Sequence, residues 1–286
     1  MATQPYALIT GASSGIGKAL AFELARRKIN VLLVALPNTG LSDVVKQLGD
    51  TFDIVSHGIE LDLTIAQAPA ILHSWCVKNH FEVNILINNA GFGNLCSFEQ
   101  TDPMLISSMI NLNSKAMVML THQFIPELKK FDKSYILNVG SLASFMPIPN
   151  KSVYAATKSF VYAFSYALRL ELEPHGISVS CLCPGATLTS THVNEGISKL
   201  KVGKNFIQLP ESVAHTAVDG MMKNKFRIIP GLHNRILYFI RQVLPETGVR
   251  WILLRIFSRQ NVDKPIAKKR YPKPAWSLAP LDGWLK

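Results

Sequence analysis

The sequence has few cysteines, few acidic side chains and no long apolar run, and each shortage excludes a class of protein. Four cysteines among 286 residues are too few for a disulfide scaffold. Cys181 and Cys183 stand two apart in an apolar run with no second pair of ligands nearby, so we expect core thiols in a reducing compartment and no metal site. No apolar run approaches the roughly 20 residues that a bilayer-spanning helix needs. No signal peptide precedes Tyr6, and the sequence therefore predicts a soluble, cytoplasmic protein.

The shortage of acids leaves 30 lysines and arginines against 19 aspartates and glutamates, a formal net charge of +11. Such an excess favours anionic partners, namely a phosphorylated cofactor, acidic lipid headgroups or nucleic acid. A solvated basic surface and tail is the alternative, because much of the excess lies after residue 198. The sequence shows no reader motif or stacked-aromatic surface for nucleic acid, so we expect no nucleic-acid partner.

Short apolar runs rich in β-formers alternate with helical stretches over residues 6–230. Near-continuous apolar strands separated by helices indicate a parallel sheet covered on both faces, and right-handed crossovers then give a doubly wound, Rossmann-like α/β fold. The predicted strands are Tyr6–Thr10, Val31–Ala35, Asp53–Ser56, Val83–Asn88, Tyr135–Val139, Ser178–Cys183 and Arg227–Ile229. The predicted helices are Gly15–Lys28, Leu41–Leu48, Ile65–Lys78, Pro103–Lys130, Val153–Glu173 and Glu211–Lys223. Residues 1–230 are accordingly predicted to be one domain.

Two segments interrupt this alternation. Residues 186–209 are polar and long for a loop inside a domain, which is typical of a functional lid or a disordered stretch. Residues 231–258 are apolar and basic together, and Pro245 and Gly248 divide them into two short predicted helices, before a proline-rich basic tail at 259–286. Because basic amphipathic helices suit a membrane interface, we hypothesise peripheral membrane contact through 235–258. Packing on the body of the protein or on a second subunit is the alternative.

A glycine-rich turn, Thr10-Gly11-Ala12-Ser13-Ser14-Gly15-Ile16-Gly17, separates the first predicted strand from the first helix. Gly11 permits a tight turn, Gly15 lets the backbone approach a pyrophosphate, and Gly17 permits close packing of the helix on the strand. Phosphates would then lie against the helix N-terminus, where free N–H groups and the macrodipole favour anions. The three-residue gap between the first two glycines departs from the commoner G-x-G-x-x-G, and a purely structural turn is the alternative.

Tyr154 and Lys158 lie four residues apart in a predicted helix and therefore share one face. An ammonium beside a phenol lowers the phenol pKa, which makes tyrosine a usable proton donor and acceptor near neutrality. This spacing is common by chance, so the context decides its meaning. Ser141 lies at the carboxyl end of a predicted strand, where ligands of such sheets bind, and its hydroxyl could hold a substrate carbonyl against the tyrosine.

With these motifs in order over roughly residues 6–230, the sequence resembles the single-domain short-chain dehydrogenase/reductases, most of all the hydroxysteroid and long-chain 3-ketoacyl reductases. The resemblance implies a catalytic tetrad of Asn113, Ser141, Tyr154 and Lys158. It implies that the tyrosine passes a proton to the carbonyl oxygen while the nicotinamide delivers hydride, and that the serine orients the carbonyl. It also implies that the lysine binds the nicotinamide ribose and lowers the tyrosine pKa, and that the asparagine holds a water of the proton relay.

The resemblance further implies a set of cofactor contacts along one edge of the sheet. They are the pyrophosphate turn (Gly11, Ser13, Ser14, Ile16, Gly17), the adenine-binding Asp62, the adenosine side (Asn89, Ala90, Gly91), Tyr154 and Lys158 at the nicotinamide, and the carboxamide side (Pro184, Gly185, Thr189). Capping of the following element is the alternative role for Asp62 and Thr189.

Ala35, at the end of the second strand, is the position that separates NAD-binding from NADP-binding members. An acid there would accept a hydrogen bond from the ribose 2′-OH and repel a 2′-phosphate. NADP-preferring members often have an arginine next, where this chain has Leu36 and Pro37. Asn38 and Thr39 could donate to a phosphate. Because no carboxylate in this part of the sequence opposes a phosphate and the chain is basic, we predict that NADP(H) is favoured, with NAD(H) as the alternative.

The sequence thus predicts an NAD(P)(H)-dependent oxidoreductase that reduces a ketone or oxidises a secondary alcohol, with Tyr154 as acid and base. Apolar residues suit a lipophilic substrate, although core packing explains them equally well; they are Leu142, Phe145, Met146 and Ile148, with Val193, Ile197, Leu200, Val202, Phe206, Ile207 and Leu209 of the lid. A catalytically silent nucleotide sensor or scaffold is the alternative, and it would be expected to lose Tyr154 or Lys158. The resemblance implies homo-oligomers through the helices at 103–130 and 153–173.

Overall fold

The five inner strands of the sheet are apolar runs buried nearly throughout, as a parallel sheet covered on both faces requires. They are β1 (Tyr6–Thr10), β2 (Asn30–Ala35), β4 (Val83–Asn88), β5 (Ser134–Val139) and β6 (Ile177–Leu182). The edge strands β3 (Ser56–Glu60) and β7 (Arg227–Ile228) are partly exposed. In this computed structural model, which describes residues 4–189 and 207–250, all seven strands pair in parallel in the order β3-β2-β1-β4-β5-β6-β7. The predicted doubly wound fold is confirmed.

Helices cover the sheet on both faces and bury a separate apolar layer on each. On one face lie α1 (Gly15–Arg26), α2 (Leu41–Thr51) and α7 (Pro210–Met222). On the other lie α3 (Ala68–Lys78), α5 (Met117–Leu128) and α6 (Ser152–Leu172). Side chains such as Leu20 and Phe124 are fully buried in these layers, and each such side chain contributes about 2 kcal/mol through removal of apolar surface from water. The strand order reverses between β1 and β4, which opens a crevice at the carboxyl ends of these strands.

The predicted third strand, Asp53–Ser56, is wrong: β3 spans Ser56–Glu60. The prediction rests on Ile54 and Val55, the most apolar pair of this stretch. The observed strand is an edge strand of the sheet, so it needs no continuous apolar run, and its residues are half-buried or exposed. The other six strands lie within a residue of their predicted bounds at either end. Helix α3 begins at Ala68 rather than Ile65, with Pro69 in its first turn, where proline fits best.

The stretch predicted as one long helix, Pro103–Lys130, is three successive helical segments. A regular helix α4 (Pro103–Ile110) is followed by a π-helical turn over Asn111–Ala116 and then by α5. A π turn inserts one extra residue into the helical ladder and is frequent at functional sites. Here it contains Asn113.

The chain continues after β7 into α8 (Leu232–Val243), which ends just before Leu244 and Pro245, and residues 246–250 are again helical. Pro245 therefore separates two helical stretches in the described part of this segment, and Gly248 lies within the second rather than between them. The rest of this segment, the basic tail at 259–286 and the central part of the predicted lid, 190–206, lie outside the described residues. Over residues 4–189 and 207–250, no helix has the length and apolar character needed to cross a bilayer.

Candidate active site

The turn between β1 and α1 adopts a backbone conformation that favours glycine at two positions. Gly11 and Gly15 have φ angles of 66° and 55°, in the left-handed region. A Cβ atom on Gly17 would overlap the carbonyl oxygen of Gly11, so the turn folds closely onto the first turn of α1. Ser14 precedes α1 without capping it through its side chain. This arrangement leaves the N-terminus of α1 suited to an anion such as a pyrophosphate.

Asn89 fixes this turn from the neighbouring strand. Its side-chain Nδ2 donates to the carbonyl oxygens of Thr10 (2.8 Å) and Gly11 (3.1 Å). The hydroxyl of Thr10 in turn accepts from the backbone N–H groups of Asn89 and Ala90, each at 3.0 Å. The predicted adenosine-side residue is thus a structural clamp on the glycine turn. Added at Gly91, a Cβ would meet Asn113 Oδ1 at 2.9 Å, so the same loop also approaches the predicted tetrad.

Asp62 follows β3 at the carboxyl edge of the sheet, as its predicted role at the adenine requires. One of its oxygens, Oδ1, accepts from the backbone N–H (2.8 Å) and the hydroxyl (2.7 Å) of Thr64. This contact stabilises the local turn, whereas the alternative role, capping of the following helix, is not observed, because α3 begins after Gln67. The adenine contact stays a prediction.

Ser141 and Tyr154 meet above the carboxyl end of β5. Ser141 caps a short 3₁₀ turn, and its Oγ accepts from the backbone N–H of Ala143 at 3.1 Å. Tyr154 lies in the first turn of α6 and is half-buried, and the Ser141 hydroxyl is close enough to its hydroxyl to lower the Tyr154 pKa. A Cβ on Gly93 would meet the Tyr154 ring at 2.7 Å, so this glycine leaves the space that the ring occupies. Gly93 is not among the site residues predicted from the sequence.

Lys158 is one turn further along α6 and is 5% exposed. Its Nζ donates to the carbonyl oxygen of Val139, the last residue of β5, at 2.7 Å, and lies 5.9 Å from the centre of the Tyr154 ring. Ser144, which the sequence analysis also missed, anchors this turn of the helix: its Oγ donates to the Lys158 carbonyl oxygen at 2.8 Å. The side chains of Tyr154 and Lys158 therefore share one face of α6, as the spacing predicted.

The side chain of Asn113 connects the π turn to the loop after β4 and to α6. It is 2% exposed, and its Oδ1 accepts from the backbone N–H of Phe92 at 3.0 Å. Its Nδ2 donates to the Phe92 carbonyl oxygen at 2.8 Å and to Thr157 Oγ1 at 3.1 Å. The side chain ties the loop after β4 to α6. The water-holding role implied by the resemblance stays a prediction.

Burial dominates the electrostatics of the tyrosine–lysine pair. Burial raises the pKa of Tyr154 above its ordinary value of 10.0, and the hydrogen bond from Ser141 partly opposes this. The expected lowering of this pKa by Lys158 is not what the structure shows. The physical reason is desolvation, which disfavours the charged form of each group. The same effect lowers the pKa of Lys158 from 10.5 to about 8.

The loop after β6 closes the site from above. The carbonyl oxygen of Pro184 accepts from the backbone N–H of Leu142, beside Ser141, at 2.9 Å. Thr189 lies over the glycine turn, since a Cβ on Gly15 would meet its Cβ at 2.9 Å. Gly185 packs directly on Asn234 of α8, a buried residue that the sequence analysis missed. Asn234 also donates to Gln208 at 2.9 Å and to the Pro230 carbonyl at 2.8 Å.

The structure thus places all the predicted site residues along the carboxyl edge of the sheet, and it brings the tetrad together at β5, α6 and the π turn. The residues present fit a dinucleotide. A glycine turn with no room for a Cβ lies at a helix N-terminus, and the buried side chains of Asn113 and Lys158 lie beside Gly91, in the loop after the neighbouring strand β4. Tyr154, Lys158, Pro184, Gly185 and Thr189 would hold the nicotinamide half. Ser13, Ser14, Ile16, Asp62 and Ala90 would face the pyrophosphate and adenosine.

Comparisons with known proteins agree with this geometry. The family model described as short chain dehydrogenase matches residues 5–199. The very-long-chain 3-oxoacyl-CoA reductase of Mus musculus is 29% identical over 279 residues, which cover 93% of this chain and 83% of that protein.

Two solved structures extend the likeness to bound cofactors. A short-chain dehydrogenase from Sphingobium yanoikuyae in complex with NADPH is 30% identical, with a TM-score of 0.74 over 93% of this chain and 100% of that one. A 3-ketoacyl-(acyl-carrier-protein) reductase from Brucella melitensis complexed with NADH is 26% identical, with a TM-score of 0.70 over 79% and 97%. One of these structures contains NADPH and the other NADH, which is consistent with NADP(H) as the favoured cofactor and NAD(H) as the alternative. The chain belongs to the short-chain dehydrogenase/reductase family and is an NAD(P)(H)-dependent oxidoreductase acting on CH–OH groups.

Proposed function

We propose that the chain reduces the ketone of a lipophilic substrate, and oxidises the corresponding secondary alcohol, with Tyr154 as the acid and base. The observation that supports this most directly is the proximity of the Ser141 and Tyr154 hydroxyls, with the buried Lys158 on the same helix face as Tyr154. When bound, the dinucleotide supplies or accepts the hydride. The protein has to bind and orient the carbonyl and to move one proton.

Ser141 holds the carbonyl oxygen through its hydroxyl, and the Tyr154 hydroxyl donates the proton to the same oxygen as the alkoxide develops. Because burial raises the Tyr154 pKa, the phenol is protonated at neutral pH, which is the form that ketone reduction requires. Lys158 presents a positive charge one turn below and stabilises the phenolate left after transfer. Asn113 positions the π turn and the loop after β4 beside the pair.

The lipophilic substrate is proposed from the surroundings of Ser141. Leu142, Phe145, Met146 and Ile148 are half-buried apolar residues in the segment that follows it. Phe145 is held in place by edge-to-face contacts with Tyr162 and Tyr238, with ring centres 4.7 and 4.6 Å apart. Relatives named for 3-oxoacyl substrates support the same class, because such substrates combine a ketone with an apolar chain.

Tyr154→Phe tests the mechanism. The variant removes only the hydroxyl, so we expect turnover of a 3-oxoacyl thioester or another lipophilic ketone to fall at least about a hundredfold. The affinity for NADPH, measured by titration of the protein's fluorescence, should stay within about twofold, since the ring that fills the space beside Gly93 is retained. Lys158→Ala should weaken both turnover and cofactor binding. Substantial turnover by Tyr154→Phe would rule out the proposed acid and base.

Two surfaces support proposals about partners. Phe160, Tyr166 and Leu170 are 47%, 53% and 58% exposed on α6, and we propose that they form part of a contact with a second copy of the chain.

On α8, the apolar side chains Leu232, Ile236, Phe239, Ile240 and Val243 are exposed, and Arg235 and Arg241 lie among them. This combination suits an anionic membrane surface, which the apolar side chains enter while the arginines meet the headgroups.

A further inference from the structure

Glu60, the last residue of β3, brings a carboxylate to the place where the sequence showed none. In the register of β2 with β3, Glu60 is the partner of Ala35, the position from which an acid would contact the ribose 2′-hydroxyl. Residues paired in this way project to the same face of a sheet. Glu60 is exposed, and it belongs to a different strand from the one on which cofactor selectivity was sought.

The Glu60 carboxylate is fixed at the turn that follows β2. Its Oε1 accepts from the backbone N–H of Asn38 at 3.3 Å. The turn itself has a defined shape, because Asn38 and Gly40 have φ angles of 60° and 75° and the Thr39 hydroxyl donates to the Leu36 carbonyl at 2.6 Å. A 2′-phosphate at this turn would find one donor already bound to a negative charge.

We propose that Glu60 is the residue that sets the discrimination between NADP(H) and NAD(H) in this chain. Its carboxylate accepts a hydrogen bond from a ribose 2′-hydroxyl, opposes a 2′-phosphate and competes with it for the Asn38 N–H. Because Glu60 is exposed, water weakens the repulsion, so the carboxylate limits the preference for NADP(H) without abolishing it. The inference rests on the proposed oxidoreductase function and adds a selectivity-determining residue to it.

The experiment measures binding rather than turnover. Dissociation constants of the full-length chain are determined by calorimetry for NADPH and NADH, and for adenosine 2′,5′-bisphosphate and 5′-AMP, which differ only in the 2′-phosphate. Glu60→Gln removes the charge and keeps an acceptor oxygen, whereas Glu60→Lys reverses the charge. Glu171→Gln is the matched control, because Glu171 is an exposed acid near the end of α6, which packs on β5 and β6 rather than on β2 and β3.

We expect Glu60→Gln to increase the affinity for NADPH relative to NADH about fivefold, and the affinity for adenosine 2′,5′-bisphosphate relative to 5′-AMP by the same factor. The change should be larger for Glu60→Lys. The gain should shrink at high salt, because it is electrostatic. Glu171→Gln should leave the ratio of affinities unchanged. If Glu60→Lys changes this ratio less than about twofold, or no more than the control does, Glu60 does not select the cofactor. Failure of the unsubstituted chain to bind either dinucleotide would instead contradict the proposed function.

Discussion

At the residue scale, the burial of Lys158 in the site lowers the stability of the fold. Its Nζ is buried and has one hydrogen-bonded partner in the described structure, the Val139 carbonyl, and burial lowers its pKa to about 8. In the unfolded chain the same group titrates near 10.5. The folded protein therefore binds fewer protons than the unfolded chain between these values. The stability linked to this lysine increases as the pH rises through that window, and below pH 8 the full penalty of burying the charge is present.

Lys158→Met makes this cost measurable. Methionine retains most of the side-chain volume without the charge, so we expect the variant to be more stable than the original chain at pH 7, by up to about 3 kcal/mol. The difference should shrink as the pH rises toward 10, and urea unfolding at several pH values measures it. Lys129→Met, at an exposed lysine after α5, controls for the loss of one positive charge. A variant that is less stable at every pH would show that the hydrogen bond to Val139 outweighs the burial penalty.

At the scale of secondary-structure elements, the π turn at Asn111–Ala116 is held by the side chain it presents. Asn113 makes three hydrogen bonds to Phe92 and Thr157, all inside the protein. Asn113→Ala removes these three hydrogen bonds, one buried and two partly buried, and we expect it to lower the free energy of unfolding by about 2–4 kcal/mol. Thr157→Val is the matched comparison, because it removes only one of the three Asn113 bonds, together with the local bond from the Thr157 hydroxyl to the Tyr154 carbonyl oxygen, and it should cost less. Equal losses for the two variants would mean that the contacts with Phe92 contribute little.

The elements also show how far the sequence could predict this structure. The buried strands and the helix containing Tyr154 and Lys158 were predictable, because apolar runs and a spacing of four residues are local signals. The π turn was not, since Asn113 is stabilised by Phe92, 21 residues earlier in the chain. Glu60 was missed as a candidate for the same reason. It opposes Ala35 only through the pairing of β2 with β3, and the boundaries of this edge strand were themselves mispredicted.

At the scale of the whole molecule, two exposed apolar surfaces lie on different helices and are proposed for different partners. The surface on α6 includes Phe160 and Leu170, and that on α8 includes Leu232 and Phe239. If α6 packs against a second copy, a charge introduced on its exposed apolar surface is buried without a partner on association, which is strongly unfavourable. If α8 enters a membrane interface, a charge on its apolar face opposes insertion in the same way.

Leu170→Asp and Phe239→Asp separate the two roles, because each variant is the matched control for the other. We expect Leu170→Asp to dissociate the oligomer, so that the full-length chain sediments with a lower mass, and to leave its binding to vesicles unchanged. Phe239→Asp should keep the oligomer and weaken cosedimentation with phosphatidylserine-containing vesicles about tenfold, the effect of losing one buried aromatic side chain. Added salt should also weaken this binding, because Arg235 and Arg241 contribute charge attraction. If Phe239→Asp dissociates the oligomer and leaves vesicle binding unchanged, α8 is a subunit contact rather than a membrane contact.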